Sequence, residues 1–186
     1  MQLKWTAVAL AAFTLVACGK KEEAAAPAAP APTAAAPAPA APPADALIVK
    51  IGHVGPTSGA IAHLGKDNEF GAKMAIEDLN AKGLKIGDKV AKFELLAEDD
   101  AGDPKQGTAV AQKLVDSKVN GIVGHLNSGT TIPASKLYSD AGIPQVSPSA
   151  TNPKYTRQGF KTTFRVVADD TQLGGTLGKY AVETLK

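Results

Sequence analysis

From Leu47 onward, short apolar runs alternate with longer stretches whose apolar positions recur every three or four residues, the pattern of strands alternating with helices. Leu47 to Gly52, rich in β-branched residues, reads as a buried strand, broken by Gly55-Pro56-Thr57-Ser58-Gly59. Asp67 then stands as the cap of a helix whose stripe is Ala72, Ala75, Ile76 and Leu79 and whose stop is Gly83. Phe93 to Ala97 is a second strand, ending in the acidic turn Glu98-Asp99-Asp100-Ala101-Gly102. Asp103-Pro104-Lys105-Gln106 carries a helix start, with Asp as N-cap, Pro at the first helical position and Gln at the third. That helix buries Val110, Ala111, Leu114 and Val115. Gly121 to Gly124 is a third, short strand entered through Val119, and Pro133 sits early in a third helix that buries Ala134, Leu137 and Tyr138 and stops at Gly142. Pro144 to Ser147 and Phe164 to Val167 are the next two strands. Asp170 opens a last helix with Leu173, Leu177, Tyr180 and Ala181 on one face.

This alternation predicts an α/β fold, a parallel sheet flanked by helices on both faces. In such sheets ligands bind beyond the C-terminal ends of the strands, which singles out the loops 55–67, 99–103, 125–133 and 147–153. Their chemistry does not match the common catalytic motifs. The first strand is followed by Gly52, Gly55 and Gly59 at the wrong spacing for a dinucleotide fingerprint, and neither a phosphate-binding P-loop nor a GxSxG elbow occurs. Asp99, Asp100 and Asp103 do not have the spacing of a calcium loop and read as structural or solvated. His125, with no nucleophile or carboxylate at a motif spacing, reads as a packing or hydrogen-bonding residue rather than a base.

Composition narrows the choice further. Twenty Lys and Arg against 18 Asp and Glu leave a charge of +2, which gives no electrostatic case for nucleic-acid binding. One Cys rules out an internal disulfide or a cysteine zinc cluster, and His53, His63 and His125 are too scattered to suggest a metal site. No cofactor is expected. Two loops are instead rich in hydroxyls, Leu126-Asn127-Ser128-Gly129-Thr130-Thr131 and Ser147-Pro148-Ser149-Ala150-Thr151-Asn152. Backbone amides at a helix start, with a hydroxyl beside them, suit a carboxylate without any Arg. The same residues serve equally well as caps and turn formers.

The first 46 residues read as address and spacer. Residues 1–17 form a signal peptide: its apolar core, Trp5 to Val16, is 12 residues long and would rise only about 18 Å as a helix, short of a membrane span of about 30 Å. Leu15-Val16-Ala17-Cys18, followed by Gly19, resembles a bacterial lipobox, and the resemblance implies lipidation at Cys18 and a tether to a membrane outside the cytoplasm. Residues 18–46 hold seven of the 13 prolines in an Ala/Pro tract, an extended linker. Residues 47–186 form the folded domain.

Six segments of that domain, VGPTSG, EFGAKMAIEDLNAKGLKIGDK, EDDAGDPKQGTAVAQKLV, GIVGHLNSGTTIPAS, GIPQVSPSATNP and FRVVADDTQLG, resemble in order the periplasmic branched-chain amino acid binding proteins, the Leu/Ile/Val receptors of ABC importers. The resemblance implies one lobe of a two-lobe, hinged α/β receptor that captures ligand between its lobes and works with an ABC permease of the inner membrane. It implies that the hydroxyl and backbone of Ser128 hold an α-carboxylate, that Ser149 offers its carbonyl to an ammonium, and that Thr151 contacts both ends of the ligand, with Ala150 between them. Leu64 falls where close relatives place an aromatic residue over the ligand side chain, so it is the expected side-chain pocket position. The two positions of a disulfide found in some members are here Gly102 and Asn127. Members run to about twice this length, so the chain is expected to be the front half of such a lipoprotein. The expected function is binding of an aliphatic amino acid for import, not catalysis; a sensor of amino acids or amides on the same fold, coupled to a signalling partner, is the alternative.

Overall fold

The structure is a computed structural model that describes residues 45–185; the signal peptide, Cys18 and most of the Ala/Pro tract lie outside those residues. The elements are β1 (Leu47–Gly55), α1 (Ala62–Ala81), β2 (Lys85–Ile86), β3 (Lys89–Asp99), α2 (Pro104–Asp116), β4 (Gly121–Gly124), α3 (Ser128–Asp140) and β5 (Gln145–Ser147). A 3-10 turn (Pro153–Thr156), β6 (Thr163–Arg165) and α4 (Asp170–Tyr180) follow, and a π turn (Ala181–Leu185) extends α4. The strands form one sheet in the order β2-β3-β1-β4-β5-β6. Every pairing is parallel except that of β2 with β3, a small edge hairpin turning at Gly87 and Asp88 that the sequence pattern did not announce.

Alternate residues of β1 face opposite sides of the sheet, and they meet different helices. A Cβ built on Gly52 would lie 2.6 Å from Ile122 Cδ1 and 3.0 Å from Leu114 Cδ1, so glycine here lets α2 press against the sheet. On this side Leu114, Val119, Ile122, Ala134 and Tyr138 form the core, and a fully buried leucine such as Leu114 contributes about 1.5–3 kcal/mol by leaving water. Ile51 points the other way, with Phe93, Leu95 and Val123, toward Ala72, Ala75, Ile76 and Leu79 of α1. The predicted α1 stripe is therefore correct, but α1 covers that face only in part and leaves an apolar groove of about 540 Å³.

Two helix starts differ from the sequence reading. α1 begins at Ala62, not at Asp67, and its N-cap Ile61 makes no side-chain cap bond. Here a tertiary contact decides: Gly65 packs so closely on Pro56 that a Cβ would sit 2.1 Å from the Pro56 carbonyl oxygen, which fixes the first turn of the helix against the β1 loop. α3 begins at Ser128, so Pro133 lies inside the helix rather than near its start. The Asn127 carbonyl accepts the amides of both Thr130 and Thr131, which closes the first turn before Pro133 is reached. α2 starts as expected, with the Asp103 carboxylate accepting from the Lys105 and Gln106 amides, though the Gln106 side chain donates to the Asp99 carbonyl instead of turning back to the cap. Gly83, at φ +59°, ends the last turn of α1 in the left-handed region that favours glycine. α4 begins at Asp170 behind an Asp169 N-cap and buries none of its residues, leaving Leu173, Leu177 and Tyr180 exposed.

Candidate ligand site

β1, β3, β4 and β5 run parallel and end at one edge of the sheet, where the loops named from the sequence gather. Asp99, at the end of β3, ties two of them together. Its carboxylate accepts from the Thr57 amide at 2.8 Å, the Ala101 amide at 2.8 Å and the Ser58 hydroxyl. Partial burial works to raise the Asp99 carboxyl, but the bonds from Ser58, Ala101 and Thr57 outweigh it and hold its pKa below the usual carboxylate range. Asp103 serves as a cap and Asp99 as a loop tie. Among the described residues no cluster of His, Cys, Asp and Glu could hold a metal ion.

Beneath this edge lies a sealed polar chain. His125, fully buried, meets Asp100 Oδ2 through Nδ1 at 2.9 Å and the Tyr138 hydroxyl through Nε2 at 3.2 Å. Nδ1 faces the Asp100 carboxylate, an acceptor, and so carries a proton, while the direction of the bond between Nε2 and the Tyr138 hydroxyl follows the ring's protonation. Burial pushes the pKa of His125 below its ordinary value, against the pull of Asp100. Burial alone would raise the Asp100 carboxyl, but bonds from His125 and the Gly102 amide overcome it and lower its pKa. His125 is a hydrogen-bonding residue, as its sequence setting suggested, and its burial keeps it out of reach of any substrate. Its carbonyl in turn accepts from the hydroxyls of Thr131 (3.1 Å) and Ser147 (2.8 Å), which pins the start of the α3 loop to the end of β5.

The hydroxyl-rich loops sit side by side above that chain. Ser128 is the first residue of α3, so its amide and that of Gly129 have no carbonyl one turn back to bind. The Ser128 hydroxyl accepts the Asn152 amide at 3.2 Å, and the Ser149 hydroxyl donates to the Leu126 carbonyl at 2.9 Å, so each loop is bonded to the other. Ala150 is fully buried, its amide on the Ser147 hydroxyl at 2.9 Å and its carbonyl on the Arg165 guanidinium at 2.7 Å. Thr151 is half-buried; its carbonyl accepts the Asp170 amide at 2.9 Å, while its own amide and hydroxyl bond no group among the described residues. Leu64 stands on the first turn of α1, 43 % exposed. Gly102 joins that turn to the α3 loop, since a Cβ built on it would lie 3.6 Å from Ile61 Cδ1 and 3.9 Å from Asn127 Oδ1. The two positions that the resemblance pairs are thus neighbours here. Cys18 lies outside the described residues.

Chemically, the free amides at the start of α3, the Ser128 hydroxyl and the unpaired Thr151 donors suit a small anion such as a carboxylate. What the sequence reading missed is Arg165, which appeared only as a strand residue. Its one signal was a lone charge in the apolar run Phe164-Arg165-Val166-Val167.

A mostly parallel sheet with helices, whose strand ends open on paired loops, is the architecture of one lobe of an α/β binding protein. The chain belongs to the periplasmic binding protein family, whose model matches residues 48–186. It is 46 % identical over 139 residues to the leucine-specific-binding protein of Salmonella typhimurium, a match covering 74 % of this chain and 37 % of that protein. It is 41 % identical over 138 residues to the Leu/Ile/Val-binding protein of Escherichia coli K12, with the same two shares covered. Among solved structures, the branched-chain amino acid transporter substrate binding protein LivJ of Streptococcus pneumoniae, in complex with isoleucine, superposes with a TM-score of 0.67 at 32 % identity, over 75 % of this chain and 39 % of that one. The chain therefore spans little more than a third of the length of these relatives.

Proposed function

We propose that the protein is the solute-binding component of an ABC importer for branched-chain or other aliphatic amino acids. The observation that carries this reading is the meeting of the free α3 amides and the Ser128 hydroxyl with the unpaired amide and hydroxyl of Thr151, at one edge of a sheet whose relatives are named for leucine. In this reading Ser128 and the α3 amides hold the α-carboxylate and Thr151 reaches both ends of the ligand. The Ser149 carbonyl faces the ammonium, buried Ala150 fixes the turn between them, and Leu64 borders the side-chain pocket. Residues 1–17 are a signal peptide, and lipidation of Cys18 with the linker to residue 46 tethers domain 47–186 to the cell envelope, where it delivers ligand to a permease.

The test is a titration of the ¹⁵N-labelled chain with L-leucine, L-isoleucine and L-valine, followed by amide chemical shifts. This readout is sensitive to affinities as weak as about 1 mM, only about −4 kcal/mol of binding free energy. Saturable shifts centred on Ser128, Gly129 and Thr151 are expected, weakened in Ser128→Ala by roughly tenfold, the cost of a lost hydrogen bond to a charged group. Shifts that do not saturate, or that saturate away from these three residues, would refute the assignment.

A further inference from the structure

We infer that Arg165 is a positioning residue of this site, aiming the Thr151 amide at the ligand; the inference rests on the amino-acid reading just given. Arg165 Nη1 donates to the Ala150 carbonyl at 2.7 Å and the Asn152 carbonyl at 3.1 Å, while Nη2 donates to Asn152 at 3.1 Å and to the Thr156 hydroxyl at 2.8 Å. The carbonyls on either side of Thr151 are therefore turned toward one guanidinium. A trans peptide is planar, with its N–H opposite its C=O. Drawing the Ala150 carbonyl onto Arg165 consequently turns the Thr151 amide away from it, and that amide is one of the site's unpaired donors.

The next peptide, by contrast, is held at both ends, its carbonyl by the Asp170 amide and its N–H by the Ser128 hydroxyl. Thr151 thus has a fixed peptide on each side while its own donors stay free. The guanidinium also lies over the Tyr155 ring, 5.5 Å from its centroid, a cation–π contact that adds to its hold. Tyr155 is fully buried and anchored by its hydroxyl to the Gln145 carbonyl at 3.1 Å. Only arginine offers a planar fork able to reach two carbonyls and a hydroxyl at once; lysine brings a point charge with no fixed directions. Bonds to a charged donor are also about twice as strong as neutral ones.

Arg165→Gln, Arg165→Lys and the charge-matched control Arg157→Gln are compared in the full chain. Arg157 is exposed and pairs with Asp169. Amide hydrogen exchange and L-leucine titration, both followed by NMR, are the readouts. In Arg165→Gln the Asn152 amide should exchange at least about tenfold faster and leucine affinity should fall by a similar factor, while β1 and β4 amides keep their rates. Arg165→Lys should fall between, and Arg157→Gln should match the parent. Unchanged exchange at Asn152 with unchanged affinity overturns the inference. So does exchange that quickens uniformly across the sheet, or a failure of both Arg165 variants to fold, since either means a general structural role. If the parent chain takes up no amino acid, the ligand reading fails and the aim toward a ligand fails with it; the exchange rates then report separately whether Arg165 holds the loop.

Discussion

Two glycine-to-alanine substitutions in α1 should move stability in opposite directions, although both place the same methyl group in the same helix. In a helix interior alanine is favoured over glycine by about 0.8–1.0 kcal/mol, through backbone entropy alone. At Gly71 a Cβ meets nothing within 4 Å, so Gly71→Ala should gain nearly that full amount. At Gly65 the same Cβ would lie 2.1 Å from the Pro56 carbonyl oxygen and 2.9 Å from the Pro56 nitrogen. The first of these falls 3.4 − 2.1 = 1.3 Å short of ordinary contact, and the obstacle is backbone rather than a flexible side chain. Overpacking of this kind costs about 1–3 kcal/mol or more, which exceeds the propensity gain, so Gly65→Ala should be destabilising. The two variants should differ by about 2 kcal/mol or more in urea unfolding at constant m-value, or several degrees in Tm at about 2–4 °C per kcal/mol. Equal stabilisation by both would refute the contact between α1 and the β1 loop, and with it the reason given for where α1 begins.

Two other expectations follow from buried polar groups and caps. His53 and His125 are fully buried; burial lowers both pKa values, opposed at His53 by Glu69 and at His125 by Asp100. A group with a lowered folded-state pKa contributes stability above its unfolded value and loses it as pH falls, so unfolding free energy should decline below about pH 6.5 by up to about 1.4 kcal/mol per pH unit for each histidine. A second decline near and below the ordinary carboxylate range should follow as Asp99 and Asp100 take up protons; Tm measured from pH 8 to pH 3 checks both, and a flat profile between pH 7 and pH 5 would contradict the first. Asp103→Ala removes a cap that serves two amides and should cost about 1 kcal/mol in urea unfolding, with Asp103→Asn recovering most of it.

What could be read in advance was what local chemistry decides. The α2 start was legible because Asp103 and Pro104 act within one turn, and the strand ends were legible because apolar runs stop at Gly124 and Ser147. The α1 start was not, since Asp67 is a good cap by composition but the Gly65–Pro56 contact, made across the β1 loop, fixes the helix earlier. Pro133 misled for a related reason: the two amide bonds to the Asn127 carbonyl outweigh the one bond that proline forgoes at the sixth helical position. In the candidate site, the two hydroxyl-rich loops stood out from their residue types and Ser128 and Thr151 within them only through the family resemblance, whereas Arg165 did not stand out at all. Apart from the Thr156 hydroxyl, the groups it donates to are backbone carbonyls up to 15 residues away, which no residue type advertises. Gly102 and Asn127 became neighbours only once β3 and β4 were placed on either side of β1.

The bond from the Asp170 amide to the Thr151 carbonyl gives α4 a mechanical role. This helix buries none of its side chains, yet its first turn is latched by main chain to the peptide that Ser128 grips from the other side. The main-chain tie between α4 and the Thr151 loop is thus a single backbone bond, so a change in the placing of the helix's first turn would reach the Thr151 peptide directly rather than through packed side chains.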